Sequence, residues 1–112
     1  MKVNFNRPVE DLQGEPINFI IDQDDGERIT KQLRLDNQII DIINNIRFES
    51  LRDRAKANRI TGLIADESVK DYEEENIEWL KETIDEQMPI DNKPGAVMSD
   101  IANVLYKENE NG

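Results

Sequence analysis

The sequence predicts an α+β fold, mainly helical, in which an N-terminal β-hairpin is followed by about four helices. Three observations carry that prediction. A β-branched and aromatic run, Ile17-Asn18-Phe19-Ile20-Ile21-Asp22, stands just before Asp25-Gly26. Apolar residues then recur at i, i+3, i+4 and i+7 in later segments, the period of a helix with one buried face. Ser50 and Pro94 stand where helices begin. A chain of 112 residues suits one domain. That domain is expected to span residues 1–106, with 107–112 as a frayed polar tail.

Each element has a local reason. Asp11-Leu12-Gln13-Gly14-Glu15-Pro16 reads as a turn, because Gly and Pro punctuate a short acidic stretch. Alternation places Ile17, Phe19 and Ile21 on one face of the first strand. Asp25-Gly26 fits a two-residue type I′ turn, and Glu27-Arg28-Ile29-Thr30 forms the return strand. Thr30 is the expected cap of a first helix, with Leu33, Ile39, Ile40, Ile42, Ile43 and Ile46 as its apolar positions. Isoleucine is a mediocre helix former, so burial must hold this helix together. Its stripe is wide enough for both a core and a contact with a second copy. Ser50 caps a second helix with Leu51, Ala55 and Ile60 inward, ending near Gly62. A third helix over residues 71–87 has Ile77, Leu80 and Ile84 inside, and Pro89 stops it. Pro94 starts a fourth, with Val97, Met98, Ile101, Val104 and Leu105 buried.

The net charge is -11, with 25 acidic and 14 basic residues and no His or Cys. The usual zinc, copper, haem and iron–sulfur ligands are therefore missing, and disulfides are impossible. A Cys–His or Ser–His nucleophile is excluded. So strong an acidic balance opposes direct binding to nucleic acid or to an anionic membrane and suits a protein partner with a basic surface. No apolar stretch approaches the ~20 residues that cross a bilayer, and Met1–Asn6 is not an apolar leader, so a cytoplasmic protein is expected. Charge is also unevenly spread. Residues 47–59 carry 5 bases and 2 acids, whereas residues 66–91 carry 11 acids and 2 bases. These segments either face each other, lie as solvated helix faces, or offer an acidic surface to a partner.

No motif points to catalysis, and the chain reads as a non-enzyme. Asp22–Glu27 fails as a calcium loop, because counting back from Gly26 puts Ile21 at its first position and Gln32 at its twelfth. Glu73, Glu74, Glu75, Glu78 and Glu82 lack the His partners of a helical two-metal site. No cofactor is expected. What remains is Trp79 and Tyr72, which either lie at the edge of the core or anchor a partner-binding surface with Glu74, Glu78 and Glu82, a row that otherwise forms a solvated face.

The order Phe5…Asp11-Leu12-Gln13-Gly14-Glu15-Pro16-Ile17, then Asp25-Gly26 and Ile29-Thr30, resembles small uncharacterised proteins encoded by tailed phages and prophages. Those open with an Asp-Leu-Asp-Gly-x-Pro-Ile turn before a hairpin and a helix. Ile77…Leu80-Lys81-Glu82-Thr83-Ile84 and Pro94-Gly95-Ala96-Val97-Met98…Ile101…Leu105 are similar to their last two helices. The chain departs from the pattern at Gln13, where those have Asp, and in its more acidic third quarter. The resemblance implies an accessory role in a phage and brings no catalytic residues. Two functions follow as expectations. One is a non-enzymatic protein-interaction module, such as an assembly chaperone or morphogenesis helper. The other is an acidic inhibitor that imitates nucleic acid and occupies the basic groove of a host DNA- or RNA-binding enzyme. A homo-oligomer is compatible with either.

Overall fold

The computed structural model describes residues 1–88 and 93–107. Among these, the elements in chain order are β1 (Asn18–Asp22), β2 (Arg28–Gln32), α1 (Leu35–Asn44), α2 (Leu51–Ala65), α3 (Glu74–Gln87) and α4 (Gly95–Ala102). A π-helical turn, Asn103–Lys107, continues α4. The expected hairpin and four helices are present, so the fold is α+β and mainly helical. No helix among the described residues is long and apolar enough to cross a membrane.

β1 and β2 pair antiparallel, with Ile20 opposite Thr30 and Ile21 opposite Ile29. The connection differs from a type I′ turn, which requires positive φ at both central residues. Here positive φ is confined to Gly26 (+85°). The Gly26 N–H donates to the Gln23 carbonyl at 2.9 Å, and Gln23 N–H to the Glu27 carbonyl at 2.8 Å. The connection is therefore a three-residue loop, Asp24–Gly26, closed by a glycine that alone tolerates this backbone. The Asp25 carboxylate steadies it by accepting from the Glu27 N–H at 3.0 Å.

Ile17, Phe19 and Ile21 do share a face, as alternation requires, but only Ile17 packs against the core. Phe19 stays 38% exposed, Ile21 37% and Ile20 63%. The hairpin packs substantially on no helix.

The expected turn at Asp11–Glu15 forms, with Asp11 N–H donating to the Glu15 carbonyl at 2.9 Å and Gly14 at φ +81°. The ten residues before it do more than the sequence suggests. They run extended through the body, and Val3, Phe5 and Val9 are core residues. Backbone bonds tie this segment to distant chain: Val3 N–H to Lys70 carbonyl, Val9 N–H to Leu33 carbonyl, and Leu35 N–H to Arg7 carbonyl, all within 2.9 Å. The Met1 ammonium bonds Asp71 at 3.0 Å and so holds that carboxyl below the usual range.

Helix α1 starts at Leu35, five residues after the expected Thr30 cap, because Thr30 is still pairing within the hairpin. Its first turn is steadied by Asp36, whose buried carboxylate accepts from Asn37 N–H at 2.9 Å and from Asn6 Nδ2 at 3.0 Å. An acid in the first turn also suits the positive end of the helix. Ile39, Ile42 and Ile43 are wholly buried and Ile40 is half-buried. Most of the α1 stripe is thus spent on the core, with Ile40 and, just beyond the helix, Ile46 half-buried.

Ser50 caps α2 as expected, accepting from Asp53 N–H at 3.2 Å. The inner face is Ala57, Ile60 and Ile64, while Leu51 is 89% exposed and Ala55 is exposed. The helix passes Gly62 and ends at Ala65. Burial of Ile64 outweighs the ~1 kcal/mol that a helical glycine costs. In α3, Ile77, Leu80 and Ile84 are buried as predicted, though the helix begins at Glu74. Pro94 stands one residue before α4, and Val97, Ile101, Val104 and Leu105 are buried, with Met98 packed at the margin. Pro89 and the tail at 108–112 lie outside the described residues.

Candidate functional site

The six residues between α1 and α2 place Phe48 against Trp79 of α3. The two rings stack, with centroids 6.2 Å apart and planes 22° from parallel. Arg54, one turn into α2, lies 5.0 Å over the Phe48 ring and donates to the Ile46 carbonyl at 2.9 Å. Arginine so held fixes the ring by a cation–π contact as well as by its own hydrogen bond. The aromatic pair helps line an open groove of about 410 Å³ between the α1–α2 connection and α3. Four carboxylates line it, Glu49, Asp53, Glu82 and Glu86, against one guanidinium, Arg47. Part of the basic segment therefore shares this groove with part of the acidic helix.

The sequence-predicted site residues fall in different places. Trp79 is half-buried and belongs to the groove. Glu82 lines the same groove. Glu74 and Glu78 are exposed on α3 outside it, and Glu78 accepts from Lys81 at 3.2 Å. Tyr72 does not join Trp79 at the surface. It precedes α3, is only 3% exposed and meets Phe5 edge-on at 5.1 Å. Its hydroxyl donates to the Leu63 carbonyl at 3.2 Å. Burial, with the nearby Asp66 and Asp36 carboxylates, pushes the phenol up to about 12. The reason is packing: the extended N-terminal segment needs a large partner for Phe5, and Tyr72 supplies it.

Phe48, Arg54, Asp53 and Glu86 were not predicted as site residues. The available signal was Phe48 itself, the one aromatic residue in a mostly charged stretch (Arg47–Arg54). Among the described residues no group of three or more acidic side chains is arranged to hold a metal ion. The groove offers apolar ring area and negative charge together in its lining, an arrangement for lysine or arginine side chains. No family model matches the chain, and comparison with curated proteins and with solved structures finds nothing similar to it.

Proposed function

We propose that this protein is a non-enzymatic protein-interaction module whose Phe48–Trp79 groove receives a basic segment of a protein partner. The observation that carries this reading is the stacked aromatic pair lining one groove with Glu49, Asp53, Glu82 and Glu86. The half-buried rings give contact area at low entropy cost, and surrounding carboxylates select cationic side chains. The resemblance of its turn and helix motifs to tailed-phage and prophage proteins supports a place for it in the host cytoplasm, as an assembly chaperone or morphogenesis helper.

The test is capture from lysate of phage-infected or lysogenic host cells, nuclease-treated and read by mass spectrometry. Wild-type bait is compared with Trp79→Ala and with Glu82→Gln/Glu86→Gln. A virion protein with a Lys- or Arg-rich segment, captured by wild type and lost with both variants, supports the reading. Equal capture by all three baits overturns it. The exposed row Glu74, Glu78 and Glu82 along α3 favours a second reading, in which the acidic helix imitates nucleic acid. In that case a host nucleic-acid enzyme is captured, and Glu74→Gln/Glu78→Gln releases it while Trp79→Ala does not.

A further inference from the structure

We infer that β1 is a self-pairing edge, joining two copies of this chain antiparallel about Ile20 into one four-stranded sheet. The sheet has only two strands, so both of its edges are unpaired among the described residues. Register and hydrogen bonding say which groups those edges present. Ile17 is bonded to Leu33 and Gln23 to Glu27, so the odd-numbered residues point their N–H and C=O groups inward. Asn18, Ile20 and Asp22 therefore direct theirs outward from β1.

The polarity of β1 is symmetric about Ile20: Asn, Phe, Ile, Ile, Asp. Antiparallel pairing centred there sets Ile20 opposite its own copy, Phe19 opposite Ile21, and Asn18 opposite Asp22. The outward groups then form the hydrogen-bonded pairs, and Phe19 meets Ile21 at the closer, non-bonded positions. Charge agrees with this register. Asp22 is paired with Arg28 at 3.1 Å within its own hairpin and faces a neutral amide on its other side, so no like charges stand opposite. A shift of two residues instead sets Ile20 against Asp22 or Asn18.

The other edge is guarded. β2 carries Arg28 and Lys31, and self-pairing about Thr30 would set Lys31 against Ile29. Charged residues on an edge are a common block to unwanted pairing, and β1 has none across its three central positions. Self-pairing at β1 also accounts for three apolar residues left open on a hairpin that packs substantially on no helix. A two-stranded hairpin is marginal in water, and a four-stranded sheet is not.

The experiment is sedimentation of the full chain over a wide concentration range at low and high salt. The expected result is a species of twice the 13.0 kDa chain mass, whose fraction rises with salt. Salt favours it because the two copies repel through their net charge of -11 each. Ile20→Asp puts like charges at the centre and is expected to weaken association at least about tenfold, whereas Thr30→Asp on the other edge leaves it unchanged. Hydrogen exchange on the wild type needs no variant: the Ile20 and Asp22 amides gain protection as concentration rises. A monomer throughout, a dimer indifferent to Ile20→Asp, or amides equally unprotected in monomer and dimer would each overturn the inference.

Discussion

Arg7 and Asp100 are joined by two hydrogen bonds of 2.8 and 3.0 Å, fork to fork, across 93 positions of sequence. The Glu10 N–H adds a third bond to the same carboxylate at 2.9 Å, and the Asp100 side chain is only 5% exposed. The pair fastens the N-terminal segment to α4.

Removing one member of such a pair leaves the other charge buried and unmatched. Asp100→Ala is expected to lower stability by about 3 kcal/mol, and Asp100→Asn by less, since the amide oxygen still accepts. Arg7→Met combined with Asp100→Leu is expected to cost less than the sum of the two single changes. Urea unfolding followed by Trp79 fluorescence checks the wild type and all five variants.

The cap of α2 is a smaller, local test. Ser50→Ala removes the acceptor for Asp53 N–H and is expected to cost about 1 kcal/mol in the same unfolding assay.

Tyr72 supplies a pH dependence with a definite sign. Its phenol titrates near 12 when folded against an ordinary value of 10.0. Below pH 10 both states keep the proton and this contribution is whole. As pH rises from 10 toward 12 the unfolded chain releases the proton while the folded chain holds it, so stability falls. Tyr72→Phe is expected to lose about 1 kcal/mol at neutral pH through the lost hydrogen bond to the Leu63 carbonyl, and to flatten the alkaline decline. Burial and the Asp85 carboxylate also raise Tyr106, so the readout is the difference between wild type and variant.

Salt separates the two surfaces. Binding of a Lys-rich peptide in the groove is expected to weaken as salt rises from low to moderate, and Trp79→Ala to weaken it about tenfold or more at either salt. Association through β1 is expected to strengthen over the same range. Fluorescence titration and sedimentation on one preparation measure both.

What the sequence made legible was periodicity. The Ile77–Leu80–Ile84 stripe, the Ile39–Ile43 stripe and the Ser50 cap are local patterns, and each is found where the pattern puts it. What it hid depends on residues far apart. Val3, Phe5 and Val9 form no periodic run, because an extended segment threaded among helices buries side chains wherever neighbours happen to be. Tyr72 read as a surface aromatic for the same reason: its partner, Phe5, is 67 positions away. The groove was half legible. Trp79 and Glu82 stood out on α3, but the stacking of Phe48 and the grip of Arg54 depend on how the α1–α2 connection folds back.

The threaded N-terminal segment also bears on the order in which the molecule completes itself. Residues 1–9 find their partners at Leu33, Ile64, Lys70, Tyr72 and Asp100. On a ribosome adding ~5–20 residues each second, Arg7 emerges many seconds before Asp100 exists. The helices have local contacts to begin from, whereas most partners of the threaded segment lie far along the chain. Residues 1–9 are therefore locked in stages as later chain arrives: Val9 at Leu33, Phe5 at Tyr72 and Arg7 at Asp100.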